Sequence, residues 1–396
     1  MVALFNFVLY AIPLLIYWNK VKALNTYTLL LASYTIVAFF CFLNYQDNNE
    51  YQHCTVIPFI FLWLMVMLEL SAYKHVNICK ETIIIRENWA INALTWIYIV
   101  SGFLSMYYNY PRVVMLFEMD DWANVRNDFY DTLDTSQLYS SQLERYVKNI
   151  HSYLGPFGVV MAFYQLSKAK INILYTVLLF TSWLGSTFFG ATLTASRGIV
   201  VQTVCVAVLG YVLFSKMIRK SLRKYLLIAF ASLVVLFTMY FLIVTRSRFG
   251  EGEEGNASLS YLGHSMLAFN EGIMGSMTSF ADGKYFFGWI YQLVGYNTYV
   301  NENALGVTHQ HAFFTSIGML YYDFGPLLTI IIVLLLSALF RKYNTKSRYD
   351  TSDVMVIYFF ADYLIKGVFV NGMNLSLTWL MLFVVVKIVR FAEKIN

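Results

Sequence analysis

Long apolar runs, separated by short polar stretches, recur along almost the whole chain. A helix crossing the hydrocarbon layer takes roughly 20 apolar residues, with about 17 as a lower limit. The runs therefore predict spans near 2–18, 27–44, 56–73, 89–107, 151–167, 171–190, 198–215, 225–244, 312–340, 353–370 and 374–390. The run at 312–340 is too long for one straight helix. Pro326 follows Asp323-Phe324-Gly325 inside it, which predicts a bent or re-entrant approach leading into a helix over 324–340. Residues 2–18 lack a basic start and a small-residue cleavage site, so they read as a retained helix. Two stretches break the rhythm, at 108–150 and 245–311, and read as long loops. Within the second, 259–280 and 285–296 are half-apolar and predict short amphipathic helices lying at the interface. No repeat or separate soluble domain interrupts the chain, which reads as a single polytopic membrane domain over 1–396.

Charge sets the orientation. Nineteen of the 28 lysines and arginines fall in the short stretches that alternation puts on one side. These are Lys20 and Lys22; Lys74, Lys80 and Arg86; Lys168 and Lys170; the cluster from Lys216 to Lys224; the cluster from Arg341 to Arg348; and Lys387, Arg390 and Lys394. Positive charge concentrates on the cytoplasmic side, so eleven spans put the N-terminus outside and the C-terminus inside. Composition agrees: 59% of residues are hydrophobic and 13% charged, outside the range of soluble domains. The fold class expected is an all-α integral membrane protein of about 11 transmembrane helices with two long outer loops. The net charge of +5 is no sign of nucleic-acid binding, because most basic residues sit where they orient the chain and meet anionic membrane lipid. Four scattered cysteines show neither CxxC nor metal-ligand spacing, which argues against a disulfide framework and a zinc site. Inside the spans the charges are few: Glu69, Asp362 and Lys366. The last two stand four apart and are expected to pair; their scarcity disfavours an ion-coupled pump.

Several groups on the other side could carry chemistry. Arg197 stands between Ser196 and Gly198 at the start of a span, where it either snorkels to headgroups or lines a cavity that small neighbours allow. Arg246 and Arg248 flank Ser247 where the next span emerges. Positions i and i+2 do not share a helix face, so the two guanidiniums converge only if the backbone unwinds. Guanidinium forks match phosphate oxygens and keep their charge; membrane anchoring is the plainer role. His309 and His311, in Thr308-His309-Gln310-His311, could take a proton from a sugar hydroxyl, and a third ligand that would make them a metal site is not evident. His264 and Glu271, seven apart, form a second acid–base pair expected on one helix face. Asp323, ahead of Gly325-Pro326, is a helix-cap device or a site residue. Trp122, Trp183 and Trp289 could stack on sugars or serve as interfacial anchors.

Taken together with the layout, Ser196-Arg197-Gly198, Arg246-Ser247-Arg248 and the stretch TSIGMLYYDFGPLLTIII around Asp323 resemble the bacterial O-antigen polymerases. More broadly they are similar to oligosaccharide repeat-unit polymerases and their relatives, the O-antigen ligases. The resemblance implies a metal-independent polytopic glycosyltransferase (GT-C-like) of the bacterial inner membrane, with no cofactor. Its donor would be the growing glycan on undecaprenyl diphosphate and its acceptor one repeat unit on the same carrier, joined on the periplasmic face. Arg197, Arg246 and Arg248, with Arg126 as a further candidate, would hold the diphosphate. His309 or His311 would deprotonate the attacking hydroxyl, with Asp323, His264 and Glu271 in support. A chain-length regulator is the protein partner the resemblance implies. An O-antigen ligase, a lipid-linked oligosaccharide flippase or transporter, and a non-catalytic scaffold remain as other readings.

Overall fold

The computed structural model describes all residues except 48–49, 80, 85–87, 120–140, 250–253, 309–313, 345, 370–374 and 396. The side chains of 84, 117–119, 248–249, 254–258 and 344 also lie outside the described set. The helices in chain order are α1 (Val2–Val21), α2 (Thr26–Asp47), α3 (Val56–Leu70), α4 (Trp89–Met119), α5 (Gln142–Tyr153), α6 (Gly155–Ser167) and α7 (Ile173–Leu193). They continue with α8 (Arg197–Phe214), α9 (Lys220–Phe249), α10 (Glu254–Leu267), α11 (Gly288–Leu293), α12 (Ser316–Asn344), α13 (Thr351–Lys366) and α14 (Leu375–Ile395). A π-helical stretch, Ala268–Met274, continues α10. Two-residue strands β1 (Ile83–Ile84) and β2 (Tyr349–Asp350) pair in parallel.

Among the described residues, nine helical segments are long and apolar enough to cross a membrane. The other two spans expected from hydropathy are present as shorter helices, α6 with 13 residues and α14's predecessor α13 with 16. At 1.5 Å per residue, α6 rises only about 20 Å. The loop boundaries also move. The helix α4 runs to Met119 and α5 begins at Gln142, so both ends of the stretch 108–150 are helical. Arg112 is part of α4 and pairs with Glu144 of α5 at 3.2 Å, while Lys148 meets the same carboxylate at 2.6 Å. Two cations and a helix-forming sequence extend the helices beyond the point where hydropathy falls.

The chain groups into two compact units: 1–77, 255–347 and 359–383 in the first, and 78–254, 348–358 and 384–396 in the second. In the first unit, α1 packs on α2 and α3, with the Tyr10 and Tyr34 rings stacked at 6.0 Å. The stretch 259–280, expected as an amphipathic helix at the interface, is helical only to Met274 and turns polar residues inward. It is buried from Ser265 to Asn270. Asn6 of α1 donates to the Met266 sulfur at 3.2 Å, and Ser265 donates to the Val368 carbonyl at 2.8 Å. A Cβ on Gly263 would stand 2.3 Å from the Phe40 carbonyl oxygen, so only glycine admits this crossing of α2. The expected break in 312–340 is found at Gly325, with φ 71° and ψ −179° inside α12. Lys366 and Asp362 pair at 2.8 Å, as their spacing predicts. Glu69 is fully buried in α3, facing the Tyr363 hydroxyl. One end of this unit gathers its basic stretches: Tyr17 donates to the Lys74 carbonyl, Lys74 stands over the Tyr27 ring, and Arg341 donates to Ser71.

In the second unit α4, α5 and α7 meet at a polar hub. His151 of α5 places Nδ1 3.2 Å from the Tyr98 carbonyl of α4 and Nε2 2.7 Å from Ser186 Oγ of α7. Nδ1 therefore carries the proton and Nε2 accepts from Ser186. Interhelical side-chain hydrogen bonds of this kind hold apolar helices together where no hydrophobic force distinguishes neighbour from lipid. The β1–β2 pair ties the stretch after Cys79 to the stretch before α13, and Arg390 of α14 bridges to Asp353 at 3.1 Å.

Candidate functional site

Arg197 is the first residue of α8, and it enters the helix through a strained turn. The preceding helix α7 ends at Leu193, and Ala195 then takes a left-handed backbone, φ 44°. A side-chain-bearing residue adopts that region at a cost of roughly 1–2 kcal/mol. The turn is held by Ser196 N–H on the Ala191 carbonyl at 2.9 Å, and Tyr240 of α9 donates to the same oxygen at 2.8 Å. Ser196 then caps α8, its hydroxyl accepting the Ile199 N–H. Ala191, Ala195, Val200, Phe237, Tyr240 and Val244 form an apolar cluster below.

Arg197 is 5% exposed. It donates from Nη1 to Thr245 Oγ1 at 3.2 Å and lies 5.3 Å over the Phe241 ring. The first turn of α8 is thus brought against the last turns of α9. A cation in the first turn faces the positive end of the helix dipole, which opposes it by about 0.3–1 kcal/mol. Helix stability does not explain its place.

The backbone does not unwind at Arg246-Ser247-Arg248, because α9 continues to Phe249. Arg is a good helix former, and the first glycine after it is Gly250. Positions 246 and 248 therefore fall on different faces of α9. Arg246 is exposed. Arg248 follows Thr245 by three residues, which sets its Cα on the face that meets Arg197; its side chain lies outside the described residues. Arg126, His309 and His311 lie outside them as well.

In the first unit, His264 and Glu271 face one loop, residues 51–55, between α2 and α3. The Tyr51 hydroxyl is hydrogen-bonded to His264 Nδ1, with the rings edge-on at 5.3 Å. Burial pushes the Tyr51 phenol above its ordinary range, with Glu50, Cys54 and Glu271 adding to the effect. It therefore stays protonated and keeps a hydrogen to share with the His264 ring. Glu271 accepts the His53 N–H at 2.9 Å and the Cys54 thiol at 3.7 Å. Asn270 completes the seam by exchanging two hydrogen bonds with the Thr55 backbone, at 2.9 and 2.7 Å. The π-helical turn lets Asn270 and Glu271 both reach the loop; π turns of this sort are frequent at functional sites. Thr308, which precedes His309, donates to the Glu271 carbonyl at 3.4 Å. Tyr51, Thr55, Asn270 and Thr245 had no signal in the sequence, since each acts through a partner far along the chain.

Asp323 has a different role from capping its own helix. Its carboxylate accepts the N–H groups of Tyr285 and Phe286 at 3.1 and 2.6 Å and is 1% exposed. It clamps the turn leading into α11. Trp289, in α11, donates to Ser376 at 2.9 Å.

The Cys54 thiol carries a testable consequence. Burial raises its pKa, and the Glu271 charge raises it further; only the thiolate is an efficient nucleophile. Iodoacetamide at pH 8 is therefore expected to leave Cys54 largely unmodified in the folded protein, with peptide mass spectrometry as the readout. Glu271→Gln keeps an acceptor for His53 and removes the charge, so it should speed alkylation severalfold. Equal rates in the two proteins would remove the electrostatic link.

No family model matches the chain, and no curated protein or solved structure matches it.

Proposed function

We propose that the chain is a multi-pass bacterial inner-membrane glycosyltransferase that joins undecaprenyl-diphosphate-linked repeat units into a surface polysaccharide. The observation that carries the reading is the Arg197–Thr245 contact at 3.2 Å. It sets a buried guanidinium, the N–H groups opening α8, and the arginine-bearing end of α9 side by side. Fixed cations and helix N-terminal amides suit the charge that develops on a departing lipid diphosphate. Each compact unit gathers basic stretches at one end, and the positive-inside rule makes those ends cytoplasmic. Arg197 and Arg246 then belong to the periplasmic side.

In this reading, Arg197 and Arg248 hold the diphosphate of the donor, and Arg246, on another face of α9, adds positive charge around the carrier, with Arg126 as a further candidate. Arg forks deliver paired hydrogen bonds without a proton to lose, so no resident metal is required. His309 or His311 takes the proton of the attacking hydroxyl. His264 and Glu271 hold the 51–55 loop, and Asp323 holds the turn before α11. A chain-length regulator and membrane lipid complete the expected partners.

The surface glycan of a deletion strain tests the reading. A lipid carrying a single repeat unit is the expected result. Complete absence of glycan points instead to an O-antigen ligase or a flippase, and an unchanged ladder of chain lengths overturns the proposal.

A further inference from the structure

Glu69 lies close to the end of the membrane-spanning segment Val56–Tyr73 and has no exposed surface. Other buried carboxylates of the first unit have partners: Asp323 accepts two backbone N–H groups and Asp362 pairs with Lys366. Glu69 differs. Among the described residues neither of its carboxylate oxygens has a hydrogen-bond partner. The basic groups near the end of α3 are engaged elsewhere, Arg341 on the Ser71 hydroxyl and Lys74 over the Tyr27 ring.

Hydroxyls from three other helices gather at this carboxylate. Tyr363 of α13 faces both Glu69 and Ser316, the first residue of α12, and Tyr34 of α2 faces the same serine. All three are buried. Tyr34 donates its proton to the Leu364 carbonyl at 3.2 Å, so its oxygen offers the cluster only lone pairs. The Tyr363 and Ser316 oxygens stand close by but outside hydrogen-bonding geometry, each without a partner among the described residues. Glycine at 367 permits this closeness, since a Cβ there would stand 2.6 Å from Ser316 Oγ. Two amides in the first turn of α12 are already taken. The Ser316 N–H donates to the Gly367 carbonyl at 2.7 Å, and the Gly318 N–H to the Thr315 hydroxyl at 3.0 Å.

We propose that Glu69, Tyr34, Tyr363 and Ser316 hold a single monovalent alkali cation, sodium, inside the first unit. Carboxylate and hydroxyl oxygens are hard donors, suited to hard cations. A carboxylate inside a span is costly unless an opposite charge meets it, and such residues mark ion sites for that reason. Charge sets the valence. Among the described residues no group of three His, Cys, Asp or Glu side chains is placed to hold a metal ion, so Glu69 supplies a single negative charge. A divalent ion would leave net positive charge buried, whereas a monovalent one closes the balance. A proton would neutralise Glu69 yet leave the hydroxyl lone pairs facing one another; a cation answers both carboxylate oxygens and all three hydroxyls at once. Bound there as a counter-ion, sodium ties α2, α3, α12 and α13 together, with no transport step required.

The test is radioactive-sodium binding and thermal unfolding of the full-length protein in neutral detergent, with sodium chloride replacing choline chloride at constant ionic strength. A single saturable sodium site per chain is expected, with a higher melting temperature in sodium than in choline. Glu69→Gln keeps the shape and removes the charge, so it should weaken sodium binding at least tenfold and remove the sodium-dependent shift in melting. Tyr363→Phe deletes one ligand oxygen and leaves the carboxylate; it should weaken binding severalfold and gives a check where Glu69→Gln folds poorly. Melting and binding that do not respond to sodium overturn the proposal, as does undiminished sodium binding by a folded Glu69→Gln protein. Melting that follows pH in the wild type but not in Glu69→Gln, with no response to sodium, assigns the cluster to a proton and overturns the cation assignment.

Discussion

Arg197→Ala is expected to leave the protein in the membrane and abolish long-chain polysaccharide, and Arg197→Lys is expected to restore little of it. Arg197 is 5% exposed, and its guanidinium bridges the start of α8 to the end of α9. Removing a fixed donor aimed at a developing anion costs about 10²–10³ in turnover where such donors have been deleted. A lysine keeps the charge but loses the fork, and its ammonium cannot both reach Thr245 and present paired N–H groups to a diphosphate. A purely structural role for Arg197 predicts something else: lower melting temperature and lower protein level, with turnover per folded molecule unchanged. Arg246 separates the two cases. It is exposed on the last turns of α9, so Arg246→Ala should cost within about 0.5 kcal/mol of stability, as surface substitutions usually do. Its turnover should nonetheless fall by at least tenfold. In vitro polymerisation by purified protein measures both variants. Full turnover in Arg246→Ala together with full turnover per folded molecule in Arg197→Ala removes the diphosphate site.

The membrane-spanning segments are legible because each stays apolar for the length that lipid demands, whatever its neighbours. Pro326 after Gly325 likewise announces the break in α12 locally. The stretch 259–280 is misread because its polar residues, Ser265 and Asn270, suggest a wet face. In the structure their partners are the Val368 carbonyl and the Thr55 backbone, more than 100 positions away. Hydropathy counts a polar residue as exposed and cannot see a partner that satisfies it inside. The same blindness hides Tyr51, whose hydroxyl meets His264 across 213 positions. Arg246-Ser247-Arg248 fails in the opposite way. Charge suggests a loop there, but intrahelical hydrogen bonds and good helix formers carry α9 on to Phe249. Arg197 is legible as the start of α8 because its signal is local: a cation opening an apolar run between two small residues. Its partner Thr245 was adjacent to a flagged residue, yet only packing shows that the two helix ends meet.

Gly325→Ala should be among the most damaging small substitutions in the first unit. The backbone there has φ 71° and ψ −179°, a region essentially closed to residues with a side chain. Forcing such a residue into it costs on the order of 1–3 kcal/mol. A Cβ would also lie 2.6 Å from the Phe280 ring, and displacing a packed ring adds about 1–3 kcal/mol. The conformation cannot relax to a helix, because the neighbouring hydrogen bonds depend on it. Pro326 has no N–H to offer the Tyr322 carbonyl, so that oxygen accepts from Ala281 at 3.0 Å. The Asp323 carbonyl accepts from Gly283, and its carboxylate clamps Tyr285 and Phe286. Straightening α12 would break this seam and release the turn that leads into α11. Thermal unfolding in detergent should show a clear loss for Gly325→Ala. Adding Phe280→Leu should recover only part of it, since the smaller side chain relieves the contact and leaves the backbone strain. Wild-type melting in Gly325→Ala, or complete recovery in the double variant, would show that the left-handed turn is not what the fold requires at this position.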